Sequence, residues 1–189
     1  MSIDQKMITT KKIERLAFEL LQAIGEDPTR EGLKDTPRRV AKFWDEFINY
    51  EPGNIATSFA QTNSGQIVIV SGMRVWSLCE HHLLPFWCDV SIAYRPADKI
   101  LGLSKFARIA LKQAHKLNVQ ENLVRQIADE VGGVTGSADI AVVGVGVHTC
   151  MLMRGVEKAA HMTTIEARGS FQNDLATLNT LLQFVSRPV

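Results

Sequence analysis

The sequence predicts an α+β fold in which a largely antiparallel sheet follows N-terminal helices. Three observations predict it. Apolar residues recur at helical spacing before residue 50, the period changes to that of strands from Gln66, and two further helical stretches separate two groups of strands. A parallel sheet would need a helix between most of its strands.

Ile13, Leu16, Ala17, Leu20, Leu21 and Ile24 form the stripe of a first amphipathic helix, which Gly25 ends. Asp35-Thr36-Pro37 offers an N-cap with a proline at the first helical position. Val40, Phe43, Trp44, Phe47 and Ile48 line the second helix, closed by Pro52-Gly53. Gln66 to Val70 and Arg74 to Leu78 read as short strands and Trp87 to Tyr94 as a clear one. Helical patterns follow over Ser104 to Leu117 and Val119 to Val131. Asp139 to Met153 reads as a long β-rich run, Thr163 to Ala167 as a strand, and Leu175, Leu178, Leu182 and Val185 as a terminal helix.

The 189 residues, 46% of them hydrophobic, are enough for a sizeable core without staples. With 21 Lys+Arg against 20 Asp+Glu, the chain has no global field for nucleic acid or an anionic membrane, so any anion site is local. Met1 to Leu16 lacks an apolar h-region and the longest apolar stretches are strand-length, so the expectation is a soluble cytoplasmic protein. Three cysteines in such a chain point to metal or catalytic use ahead of a disulfide.

Cys79-Glu80-His81-His82 places a thiol and an imidazole three residues apart, and Cys150 follows 68 positions after His82. Cys-x-x-His plus a distant Cys reads as zinc. If Ile140 to Cys150 is one strand, His148 and Cys150 share a face with Gly144 and Gly146, whose missing side chains leave room beside a metal. Two arrangements fit this spacing. A closed structural site would use Cys79, His82, His148 and Cys150; an open catalytic site would use Cys79, His82 and Cys150, with His81 and His148 left for proton transfer. Cys88 shares parity with Val90, Ile92 and Tyr94 and is expected to be a buried, inert thiol.

Gly102-Leu103-Ser104-Lys105 opens a helix on which Lys105, Arg108 and Lys112 stack, either a phosphate site or a solvated basic face with Ser104 as N-cap. Asn118-Val119-Gln120-Glu121 has the outline of a capping box, in which Glu121 would only satisfy its helix. Arg154 lies four residues beyond Cys150, about 13 Å along an extended strand, and suits either the far end of a long substrate or a surface ion pair.

Ser77-Leu78-Cys79-Glu80-His81-His82-Leu83-Leu84-Pro85-Phe86, Gly102-Leu103-Ser104-Lys105 with Arg108, Val119-Gln120-Glu121, and His148-Thr149-Cys150-Met151-Leu152-Met153-Arg154-Gly155 together resemble GTP cyclohydrolase I. The likeness also takes in Thr36-Pro37-Arg38-Arg39-Val40-Ala41 and Gly169-Ser170-Phe171. It implies a tunnelling fold, an antiparallel sheet with two helices packed on it, comprising an N-terminal helical region (1–60) and a catalytic region with a C-terminal helix (61–189) in one structural unit. It implies a homodecamer with active sites between subunits, and zinc-dependent conversion of GTP to 7,8-dihydroneopterin triphosphate and formate. Zinc would be held by Cys79, His82 and Cys150. His81, His148 and Ser104 would be catalytic, Glu121 would hold the guanine, Gln120 would also bind substrate, and Lys105, Arg108, Arg154 and Arg39 would meet the triphosphate. Asn118 and Asn122 stand where the family more often has glutamine and arginine.

Overall fold

The computed structural model describes residues 9–60, 65–97 and 99–185, so residues 1–8 of the Met1 to Leu16 stretch lie outside the described residues. The chain divides into two compact units, Met1–Glu51 and Pro52–Val189. In the first, α1 (Thr10–Ala23) packs against α2 (Thr36–Ile48). Asp35 precedes α2 as expected, but its carboxylate makes no capping bond. It lies 3.6 Å from Arg38 Nη2 and 3.5 Å from Arg39 Nη2, and Pro37 is the second helical residue.

The second unit begins at Pro52 rather than at residue 61, because β1 (Ser58–Ala60) pairs with β4 (Lys99–Leu101) in a two-stranded sheet. The main sheet runs β5-β2-β3-β6-β7. Its strands are β2 (Val68–Cys79), β3 (Pro85–Tyr94), β5 (Leu117–Asn118), β6 (Ile140–His148) and β7 (Met162–Arg168). The β2/β3, β3/β6 and β6/β7 pairings are antiparallel, and only the short β5 runs parallel to β2.

The two strands expected over Gln66 to Leu78 are one. Its register shifts between Val70 and Met73, where Gly72 takes φ +73° and donates its N–H to Ser91 Oγ. A β-bulge with glycine in the left-handed region lets the strand bend without ending.

Helices α3 (Leu103–Ala114) and α4 (Gln120–Thr135) cover one face of the sheet. Phe106, Ile109 and Ala110 from α3 and Leu123, Ile127 and Val131 from α4 bury against Val75, Phe86, Val90, Ile92, Ile140 and Val142. Each large apolar side chain so buried contributes about 1.5–3 kcal/mol. Tyr94 lies in this layer, and its hydroxyl accepts the Leu101 N–H at 2.8 Å, joining β3 to β4. On the opposite face Ala93, Ala141, Val143 and Phe171 form a smaller core, with Leu178 and Leu182 of α6 (Leu175–Val185) against it. The alternation along β6 therefore serves two cores, as its strand period requires.

Candidate metal centre and active site

The turn from β2 to β3 sets the first two donors. Cys79 N–H donates to Leu84 O at 2.8 Å and Leu83 N–H donates to Cys79 O at 2.8 Å, with Leu83 in the left-handed region at φ 57°. This tight reversal brings residues 79, 81 and 82 together, so that His81 Nδ1 and His82 Nδ1, both on exposed residues, each lie 3.9 Å from Cys79 Sγ. Asn118 is almost fully buried and pins the turn from β5, its carbonyl accepting the Glu80 N–H at 3.1 Å.

Cys150 arrives from the other side, and not on a strand. β6 stops at His148, and Thr149–Leu152 form one helical turn, α5, whose Thr149 hydroxyl donates to Pro85 O. The expected shared face of His148 and Cys150 is therefore replaced by a turn, and the extended spacing from Cys150 to Arg154 does not hold. Arg154 remains close enough for its charge to favour the Cys150 thiolate, while burial and the neighbouring Cys79 sulfur push that thiol up.

The donor atoms of Cys79, His82 and Cys150 lie within 4.8 Å of one another. Tetrahedral zinc with bonds near 2.3 Å to sulfur and 2.0–2.1 Å to nitrogen sets its S and N ligands about 3.6 Å apart. The 3.9 Å between Cys79 Sγ and His82 Nδ1 needs only a small contraction to meet that value. Two thiolates and one imidazole are a donor set that suits zinc.

His148 is not in this group; among the described residues only the three donors cluster. Its ring stacks on Phe86, centroids 4.5 Å apart and planes 10° apart, and its Nε2 lies 3.0 Å from Gln120 Oε1. Burial holds the His148 imidazole below its ordinary value, and the Glu121 charge opposes that shift. The structure thus gathers Cys79, His82 and Cys150 without His148 among them.

Gln120 is fully buried, its amide bonded to Gly144 O, Met162 O and Thr164 Oγ1 as well as to His148. Expected to bind substrate, it instead spends its amide on partners within the chain and has no exposed surface. Gly144 and Gly146 do not line an open wall either. A Cβ at 144 would meet Cys88 Sγ at 2.8 Å, and one at 146 would strike Gln120 Oε1, so the space is already filled. Cys88 has no exposed surface, and burial pushes its thiol up to about 12.

Glu121 is exposed in the first turn of α4, whose N-cap is Val119 with no side-chain capping bond, so the capping box does not form. Asn118 instead turns its side chain back, accepting the Val119 N–H at 3.0 Å. Gly102, not Ser104, is the N-cap of α3. Lys105 Nζ donates to Asn54 O at 2.8 Å, Arg108 donates to Pro52 O, and Lys112 pairs with Glu130 of α4 at 2.8 Å. Among the described residues no hydrogen bond, ion pair or ring contact joins Ser104, Lys105 or Arg108 to the metal-side cluster. Arg39 lies in the other unit and faces Asp35.

Phe86 was not foreseen as a site residue. Its signal is the register alone, which sets it directly opposite His148 across β3 and β6.

Residues 13–186 match the family model described as GTP cyclohydrolase I. The chain belongs to the GTP cyclohydrolase I family. Among its relatives, GTP cyclohydrolase 1 of Hyperthermus butylicus is 46% identical over 168 residues, covering 88% of this chain and 86% of that protein. GTP cyclohydrolase 1 1 of Pseudomonas aeruginosa is 45% identical over 176 residues, covering 89% and 94%. A solved archaeosine synthase QueF-Like in the apo form overlaps 55% of this chain and 96% of its own at TM-score 0.42 and 15% identity. The GTP cyclohydrolase I membership makes the chain an enzyme. None of its described helices is long and apolar enough to cross a membrane.

Proposed function

We propose that this enzyme converts GTP to 7,8-dihydroneopterin triphosphate and formate in the cytoplasm, using zinc held by Cys79, His82 and Cys150. The observation that carries the reading is the three-donor cluster with His148 nearby but outside it. Zinc bound there would supply Lewis acidity and lower the pKa of a coordinated water to about 7. The two cysteines offset the ion's charge.

The chain's own residues divide the remaining work. His148 would take a proton from solvent on Nδ1 and pass it to N7 of the purine, and so make C8 open to attack by water. C8 leaves as formate after a second hydrolysis. His81, on the metal side of the turn, and Ser104 assist the later sugar rearrangement and ring closure. Glu121 offers two carboxylate oxygens to the adjacent N1–H and amine donors of guanine, and Lys105, Arg108, Arg154 and Arg39 take the triphosphate through charge-assisted bonds.

Within one chain, Lys105 and Arg108 engage the loop at residues 52–54 and not the metal side. This supports sites completed between subunits, in a homodecamer of 21.0 kDa chains. Exposed Trp76, Phe59 and Leu103 provide apolar surface for such contacts. The test is to measure formate released from GTP by protein of known metal content, with its mass in solution. One zinc per chain, a species of about 210 kDa and one formate per GTP are the expected results. Metal-free protein with full formate release would overturn the reading.

A further inference from the structure

Gln120 opens α4 with no exposed surface, a place where a primary amide is stable only if its polar atoms are bonded. Its Nε2 lies 3.0 Å from Gly144 O, 2.9 Å from Met162 O and 3.0 Å from Thr164 Oγ1. Two N–H hydrogens thus face three acceptors on the β6/β7 ladder. Reversing the amide would set its oxygen against two carbonyl oxygens, acceptor against acceptor, so the orientation follows from the network. Gln120 Oε1 is then the atom 3.0 Å from His148 Nε2, and a carbonyl oxygen only accepts. His148 Nε2 must therefore carry a hydrogen.

We propose that Gln120 is a positioning residue, admitted by Gly146, that accepts the His148 Nε2–H and so leaves Nδ1 as the ring edge available for proton transfer. Phe86, stacked at 4.5 Å, holds the plane of the ring, and Gln120 sets which edge carries the hydrogen. A Cβ at 146 would occupy the place of Gln120 Oε1 and also lie 2.9 Å from Trp87 O, while one at 144 would press on Thr164 Oγ1 at 3.2 Å. The catalytic meaning of this contact rests on the reading of His148 as a proton-transfer group; its geometry does not. It moves Gln120 from substrate contact to a residue that acts through another, as partners of this kind do in other sites.

The experiment is magic-angle-spinning NMR on metal-loaded protein with ¹⁵N-labelled histidine, the His148 signals being assigned by their loss in His148→Asn. A protonated Nε2 is expected, and an unprotonated Nε2 in the parent protein overturns the proposal without any variant. Gln120→Met and Gly146→Ala should each release this contact, giving a mixed population at Nε2. In both, kcat should fall roughly 10- to 100-fold with KM for GTP within about threefold. Variants that fold, keep their metal and retain the parent Nε2 signal, or that raise KM with kcat unchanged, would return Gln120 to a structural or substrate-binding role. If Gln120→Met does not fold, Gly146→Ala and the parent spectrum decide. A protonated Nε2 together with full formate release by His148→Asn would instead refute the role given to His148.

Discussion

Replacing Glu121 by glutamine separates a guanine ligand from a helix-stabilising acid, and the structure sets both magnitudes. Glu121 is exposed in the first turn of α4, and that helix has no side-chain cap for it to complete. All that the fold loses is the attraction between a carboxylate and a helix N-terminus, about 0.3–1 kcal/mol. In a chain of this size each kcal/mol moves Tm by about 2–4 °C, so the melting temperature should drop by no more than about 4 °C. The base, by contrast, presents two adjacent donors. Glutamine accepts from one and sets its own N–H against the other, an unpaired polar contact costing about 1–3 kcal/mol, which is roughly 5- to 150-fold in affinity. Guanosine titration isolates this term, because the nucleoside lacks the triphosphate and its binding does not require turnover. Scanning fluorimetry on the same samples reads the fold. Parental guanosine affinity with a fall in Tm well beyond 4 °C would refute the argument.

The other predictions follow from the same geometry. Cys79→Ala and Cys150→Ala should lose the bound metal while Cys88→Ala keeps it, read by metal analysis after gel filtration. Cys88 also predicts an alkaline limb. Its thiol is raised from 9.0 to about 12, so its contribution to stability is fully present below about pH 9 and is lost as pH climbs toward 12. The stability difference between parent and Cys88→Ala should therefore shrink above pH 9 by roughly 1.4 kcal/mol per pH unit, measured by urea unfolding; a constant difference would contradict it. Lys105→Ala and Arg154→Ala should weaken GTP binding about 10- to 100-fold and leave guanosine binding nearly unchanged by calorimetry, since charge-assisted bonds contribute about 1.5–3 kcal/mol each.

Much of this arrangement is legible in the residues before any coordinates. The stripe from Ile13 to Ile24 yields α1, the parity of Cys88 yields its burial, and the Cys-x-x-His spacing with Cys150 yields the donor cluster. The misreadings share a physical origin. A single helical turn is shorter than the window over which period is measurable, so Thr149–Leu152 reads as a continuation of β6. Gly72 looks like a break between strands because sequence does not distinguish a bulge from a turn. The Asn118 to Glu121 pattern matches a capping box, but β5 ends at Asn118, fixing it one residue too early to be the cap. Gln120 was the hardest to read. An amide at a helix start normally meets solvent, and only its pairing with two glycines on one face of β6 reveals that it enters the sheet's surface.

The open metal site is the claim on which the mechanism depends, and His148→Ala tests it most directly through metal content and formate release measured on one preparation. An open site predicts that zinc stays near one per chain while turnover falls roughly 10²- to 10⁴-fold, the usual contribution of a positioned acid or base. If His148 were a fourth ligand, the same change would release zinc and destabilise the fold, because structural zinc contributes folding free energy directly. Retained zinc with lost formate is the result this account predicts; zinc lost with the imidazole would contradict it.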